Sequence, residues 1–510
     1  MLPSRTENFQ NKPQLERRAV KLINSTLRDG LQALWSGRLG EKQVLPIVRS
    51  IDQAGYEAID FMAPVQFEVC IKNLKENPWH RARSACEAAR RSPLFTHLRS
   101  RSLTSFDLVP DSVFNLWVDR IAAAGFRRVM VFDALHDTDN LRFSVQRAKA
   151  AGLEVCLVIF YTISPFHTDA FYQSKAREVA ALGADSICLR DPSGLLTPER
   201  VSQLVPIIRS GIGDTPFYLK SHCTTGQAED CYLVAARSGV DALFVASEPL
   251  AHGASVPSIR RVYERLSIEG LAAPLDVSRI EDEEDYFFDL AKRTNRPIGV
   301  PVESPDLAQY QHQLPGNMVA FTRGQLADLK MEHLLPKVLE EFVHVRADMG
   351  YPVMVTPVSQ LVCVQAVLNV VQGERYKSIP GEVRKYVLGA YGKPDAPIND
   401  ALRDRVGSPR PEAKQEDPVQ VLRKKLGASV SDDDLLLRIL FRPEQLEGVP
   451  MDSILSHQSP SMPSDTESLT AFIRGLSVKP GSRVEVRRGG FSFTAKASTG
   501  SSKRSTTHQN

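Results

Sequence analysis

Between Val20 and Ala246 the chain carries eight short apolar, β-branched runs, each separated from the next by a segment long enough for a helix. They are Val20 to Ser25, Ala58 to Met62, Phe95 to Leu98, Arg128 to Phe132, Glu154 to Tyr161, Ser186 to Leu189, Phe217 to Leu219 and Ala242 to Ala246. Several intervening segments have helical periodicity, as in Val113 to Ala124 and Ala170 to Leu182. Many close on glycine (Gly125, Gly152, Gly183, Gly239) before the next strand. Alternation of strand and helix implies a parallel sheet, and eight units in one stretch imply a closed (β/α)8 barrel, an α/β fold placed at residues 19–282.

Beyond the barrel the pattern turns helical. Residues 283–402 read as a helical domain, with helices in Leu326 to Met349 and Gln360 to Val371. Residues 403–418, rich in charge and proline, read as a linker. Residues 419–497 read as a small C-terminal segment in which Arg483 to Val486 and Phe491 to Ala495 pair as a hairpin. Residues 1–18 form a polar N-terminal tail, and 498–510, rich in Ser and Thr, a disordered one.

The 510 residues carry 63 basic and 60 acidic side chains, a formal net charge of +3 spread along the chain, so no basic face for nucleic acid is indicated. No segment approaches the roughly 20 apolar residues of a membrane span, nor does the N-terminus resemble a signal peptide. The seven scattered cysteines lack the close spacing of a zinc or redox motif. A cytoplasmic, reduced setting is expected.

Reactive groups in such a barrel sit where strands end and βα loops begin. Those positions hold Arg28 and Asp29 after strand one, Arg99 after strand three and Asp133 after strand four. Arg190 and Asp191 follow strand six, and Lys220 and His222 close strand seven. Lys220 and His222, two residues apart, share a side. Asp133 reads first as a cap for the following helix, and Arg190 with Asp29 can equally be read as a buried ion pair holding the barrel mouth.

Ser25-Thr26-Leu27-Arg28-Asp29-Gly30-Leu31-Gln32 resembles the first-strand motif of the carboxyltransferase family of pyruvate carboxylase and oxaloacetate decarboxylase, a family of TIM barrels. Val131 to Asp137, Tyr161 to Thr168, Gly183 to Asp191 and Ser221 to Gly226 resemble later motifs in the same order, as do Tyr310 to Gly316 and Val355 to Ser359. The resemblance implies chemistry on a small 2-oxo acid such as pyruvate or oxaloacetate through an enolate. Family members use a divalent metal, held by an Asp, a carbamylated Lys and a His-x-His pair, and biotin as carboxyl carrier. Here Asp29 and the second histidine, His222, match. The lysine position holds Arg190 and the first histidine position Lys220, while Gln32 and Arg28 match substrate-contacting positions. The family's substrate-carboxylate Arg aligns with Met130 and its proton-shuttling Thr with Ala254, and no Ala-Met-Lys-Met biotinylation motif is present.

An Arg cannot be carbamylated and a protonated Lys repels a cation. The expectation is therefore a site with neither metal nor biotin, doing decarboxylation, carboxyl transfer or aldol-type chemistry. Asp29, Arg190, Lys220 and His222 are its catalytic groups and Gln32 and Arg28 its substrate contacts. Arg190 and Lys220 hold the carbonyl oxygen and carboxylate, Asp29 pairs with one of them, and His222 or Asp29 moves the proton. In a sharper form Lys220 is a Schiff-base nucleophile. The alternatives are biotin-dependent carboxyl transfer with a carrier protein in trans, and a non-catalytic scaffold. The resemblance also implies a homodimer.

Overall fold

The computed structural model describes residues 19–104, 108–304, 307–408, 416–427, 429–452 and two short strands at 483–488 and 491–496. The expected tails at 1–18 and 498–510, and the middle of the expected linker, lie outside the described residues. All eight expected strands form: β1 (Lys21–Asn24), β2 (Ala58–Met62), β3 (Leu94–Leu98), β4 (Arg128–Val131), β5 (Glu154–Phe160), β6 (Ser186–Asp191), β7 (Phe217–Ser221) and β8 (Ala242–Val245). They pair in parallel in chain order and close, β1 against β8, into a barrel.

Alternation along each strand sorts the side chains. Leu22, Ile59, Val129, Val155, Ile187, Leu219 and Leu243 face outward into the large core beneath the surrounding helices. Ile23, Ala58, Phe95, Met130, Cys156, Cys188, Tyr218 and Ala242 fill the barrel interior. Two residues further along, the interior positions become polar: Ser25, Asp60, His97, Arg190 and Lys220, all buried. β6 and β7 run two residues past their expected ends. Arg190 and Lys220 are register partners inside the sheet, because a charged residue keeps strand geometry where its neighbours supply the hydrogen bonds.

The expected boundary at 282/283 falls inside the helix Val277–Thr294, whose Ile280, Phe287, Leu290 and Ala291 belong to the barrel's outer core. Leu436, Leu437 and Phe441, expected in a separate segment, pack into the same core. The helical part has its own core around Phe342, Val345, Val362, Ala366 and Tyr386, yet it and the barrel form one compact unit. Val353 and Val355 join the barrel's interior cluster, and Arg346 donates to Thr162 Oγ1 (2.8 Å) and Ile163 O (3.2 Å). Asp395 lies 2.7 Å from His136 Nδ1 and 3.5 Å from His167 Nε2. His136 Nε2 accepts the Phe160 N–H (2.9 Å), so its proton sits on Nδ1 facing Asp395 and neither nitrogen is left to ligate an ion. This cluster is a clasp between the helical part and the barrel. The hairpin forms as expected, β9 (Arg483–Arg488) antiparallel to β10 (Phe491–Lys496). No described helix is long and apolar enough to cross a membrane, and all seven cysteines are free.

Candidate active site

At the C-terminal end of the barrel strands lies a cavity of about 360 Å³. Its floor and walls include Arg28, Asp29, Gln32, Arg190 and His222, and the helical part closes over it with Met318, Met354, Thr356 and Gln360. β1 delivers Arg28 and Asp29 through a wide turn in which the amides of Asp29 (2.8 Å) and Gly30 (3.1 Å) both reach Ser25 O. Wide turns of this kind re-aim side chains at functional sites. Gly30 is required there, since a Cβ would come within 2.9 Å of Leu250 O. Gln32 is held by Gln66, whose Nε2 donates to Gln32 Oε1 (3.3 Å) and to Arg28 O (3.2 Å).

Asp29 is the electrostatic centre. It forms an ion pair with Arg28, lies 3.6 Å from Lys220 Nζ, and its Oδ2 is 2.8 Å from His222 Nε2. Burial alone would raise its carboxyl, but Lys220, His222 and Arg28 outweigh that and hold it well below the carboxylate range. Asp29 is therefore an anion at neutral pH and a weak base. Its shortest ion pair is with Arg28, and of the two expected cations it is Lys220 that pairs with it.

Lys220 lies beneath the cavity rather than on its wall. It donates to Asp60 Oδ2 (2.8 Å) and Ser25 Oγ (3.0 Å), and sits 4.9 Å over the Phe244 ring. Ser25 Oγ donates to the same Asp60 oxygen (2.6 Å), and His97 Nε2 meets Asp60 Oδ1 (2.8 Å). Burial lowers Lys220 and pushes His97 down to about 3. Lys220 nevertheless sits between two carboxylates, Asp29 and Asp60. Burial works to raise Asp60, but Lys220 and His97 hold it well below its ordinary range. So placed, Lys220 is enclosed by Asp29 and Asp60 and does not border the cavity.

Arg190 is the opposite case. It is only 5% exposed. It borders the cavity between Phe132 and Phe160, with ring centroids 5.7 and 5.8 Å from Cζ, and its buried Nε and Nη1 have no hydrogen-bond partner. Burial, then Arg28, lowers it to about 10, so it stays charged at neutral pH. The expected Arg190–Asp29 ion pair does not form.

Asp133 does not cap the following helix, whose N-cap is Asp137; it braces the loop before that helix by accepting from the amides of Leu135 (2.9 Å) and Asp137 (3.2 Å). Asp191 likewise accepts from the Leu195 and Leu196 amides and Ser221 Oγ. Asp60 and His97 were missed because they sit inside otherwise apolar strands. Their signal was a charged or ring-nitrogen side chain on an interior-facing position.

A (β/α)8 barrel with a buried, charged cavity at its strand ends defines an enzyme of the α/β-barrel class. Residues 310–491 match the conserved carboxylase domain. The chain is 31% identical to a pyruvate carboxylase subunit of Methanothermobacter thermautotrophicus, over 89% of this chain and 82% of that protein. It is 36% identical to the pyruvate carboxylase subunit of the same name in Methanocaldococcus jannaschii, over 76% and 68%. Its fold matches the carboxyl transferase domain of Rhizobium etli pyruvate carboxylase solved with pyruvate and biocytin, at a TM-score of 0.78 and 23% identity, over 94% of this chain and 84% of that one. The chain belongs to the carboxyltransferase family of pyruvate carboxylase and oxaloacetate decarboxylase, and it is a carboxyltransferase-like enzyme chain.

This membership overturns the expectation of a site without the divalent metal and biotin that the resemblance implies: the similar proteins are pyruvate carboxylase subunits, and the matched Rhizobium etli domain was solved with biocytin. Two groups fit such an ion here. Asp29 Oδ2 and His222 Nε2 converge to 2.8 Å, both buried and both without a hydrogen bond of proper geometry. Kinship also favours carboxyl transfer with a carrier in trans over the cofactor-free chemistry set out first.

Proposed function

We infer that this chain is the carboxyltransferase component of a biotin-dependent 2-oxo acid carboxylase, taking its carboxyl group from a biotin carrier protein in trans. The observation that carries the reading is Arg190, a buried guanidinium on the cavity wall with Asp29 and His222, whose Nε and Nη1 have no hydrogen-bond partner. A planar fork of donors suits a carboxylate, and its charge also favours an enolate developing next to it. Arg190 thus takes the place of the absent family arginine at Met130, which is buried in the barrel interior. Gln32 and Arg28, held by Gln66 and Asp29, orient the substrate in the same cavity.

Asp29 and His222 would hold a divalent ion, which when bound supplies Lewis-acid polarisation of the 2-oxo group. Lys220, itself held by Ser25 and Asp60, keeps Asp29 ionised from below. Met318, Met354 and Val355 cover the cavity with apolar surface that keeps water from the enolate. The chain works as a cytoplasmic homodimer in this reading. A monomer at micromolar concentration in sedimentation would contradict the dimer.

The test is a reconstituted assay with biotin carboxylase, biotinylated carrier, ATP and labelled bicarbonate against a panel of 2-oxo acids. Fixation of label into a 2-oxo acid that depends on this chain and on the carrier is expected, with Arg190→Met lowering kcat/KM by about 100-fold or more. Carrier-independent turnover, or none with any 2-oxo acid, would sink the reading.

A further inference from the structure

Asp29 and His222 reach the cavity from β1 and β7, and the ring of His222 meets Asp29 without a hydrogen bond of proper geometry. The place of His222 is therefore set by its backbone, and that backbone is tied to the end of β6. The His222 amide donates to Asp191 O (3.1 Å). One residue earlier Ser221, the register partner of Asp191, donates from Oγ to Asp191 Oδ2 (3.0 Å). Further along the two loops Thr225 Oγ1 donates to Gly194 O (2.5 Å), and a Cβ on Gly194 would come within 2.7 Å of His222 O. The Asp191 carboxylate is anchored on its own side by the amides of Leu195 (3.0 Å, to Oδ1) and Leu196 (2.8 Å, to Oδ2).

Helix capping does not account for this arrangement, because the helix after β6 takes Thr197 as its N-cap. Asp191 is fully buried and does not line the cavity. Its hydrogen-bond donors are two amides and a hydroxyl, all neutral. Burial raises its pKa, while the Leu195 and Leu196 amides, Ser221 and His222 lower it. The last effect is reciprocal: positive charge at His222 stabilises the Asp191 anion, and the anion favours positive charge at His222. Groups that hold a ligand residue from behind orient it and tune its grip on an ion.

Resting on the proposed function, which puts a divalent ion on Asp29 and His222, we propose that Asp191 is a positioning residue of that site. Through Ser221 and the His222 amide it fixes His222 opposite Asp29, and it acts through His222 alone.

The test is Mn²⁺ binding to the full chain, read by calorimetry and by the nitrogen coupling of the bound ion in pulsed EPR, with the unfolding of each variant measured alongside. The wild-type chain is expected to bind Mn²⁺ with a coupled imidazole nitrogen, and His222→Ala to lose that coupling. Asp191→Asn should weaken Mn²⁺ binding by about 10- to 100-fold. Ser221→Ala, which keeps the carboxylate, should weaken it by about threefold or more, and Ser221→Thr should restore it. A structural role alone would lower stability and leave Mn²⁺ affinity and the nitrogen coupling in place. That result in Asp191→Asn, or in Ser221→Ala where Asp191→Asn does not fold, overturns the positioning role alone. A wild-type chain that binds no Mn²⁺ overturns it together with the ion on which the proposed function rests.

Discussion

Two polar layers lie one above the other at the end of the barrel, and they are built on opposite terms. In the lower layer Ser25, Asp60, His97 and Lys220 contact one another at 2.6 to 3.0 Å, leaving His97 Nδ1 as their one buried atom without a partner, and none of the four lines the cavity. In the upper layer Arg190 leaves Nε and Nη1 without a hydrogen bond, and Asp29 Oδ2 and His222 Nε2 face each other without a proper one. A buried polar group is kept either because its neighbours complete it or because something that arrives does. The lower layer is scaffold for the charge of Asp29, and the upper layer offers its polar atoms to the cavity.

The contrast breaks most easily at Lys220. Lys220→Met strips Asp60 and Asp29 of their buried counter-charge and should cost about 3–5 kcal/mol in denaturant unfolding. A cost below about 1 kcal/mol would mean the lower layer is not a closed network.

A smaller effect is expected at Glu283, buried against Asn24 Nδ2 (3.0 and 2.9 Å) and raised by burial to about 7. Its folded pKa lies above the unfolded value, so the folded state binds the extra proton. Stability from this group is full below about pH 4.5 and fades as pH rises through about 7. Glu283→Gln should flatten that decline. The lowered Asp29 and Asp60 act in the reverse sense and only below their ordinary range, near pH 4, so the two effects separate by pH. An unchanged pH slope in Glu283→Gln would assign the decline elsewhere.

The smallest change in stability belongs to Arg190. Removing an unpaired buried cation should leave stability unchanged or raise it by about 1 kcal/mol, in contrast to its register partner Lys220. A loss of more than about 2 kcal/mol in Arg190→Met would make it a structural residue and erase the distinction between the layers.

Much of this was legible in the sequence. The eight strands could be read because β-branched and apolar residues recur at barrel spacing. The strand-end rule then pointed to Arg28, Asp29, Arg190 and His222, which share one cavity with Gln32, a residue singled out by the family resemblance alone. The reading stopped short at Leu189 and Leu219 because the next residues are charged, and those charges are the ones the sheet carries inward. Asp60 and His97 were hidden inside strands, and Lys220 was expected at the wall. Which interior charges are completed by neighbours depends on contacts between strands far apart in sequence, such as Lys220 with Asp60. Periodicity carries no record of that. The boundary at 283 failed for a related reason, since the helix Val277–Thr294 buries its apolar face on the barrel although its sequence resembles the helices that follow.

The most direct measurement is calorimetric binding of oxamate and pyruvate to the wild-type chain and to Arg190→Met, with the fold of each checked by unfolding. The expected result is binding to the wild-type chain and a loss of about tenfold or more in a variant that is as stable as its parent. Equal binding by both chains would contradict the assignment of the unpartnered guanidinium to the substrate carboxylate.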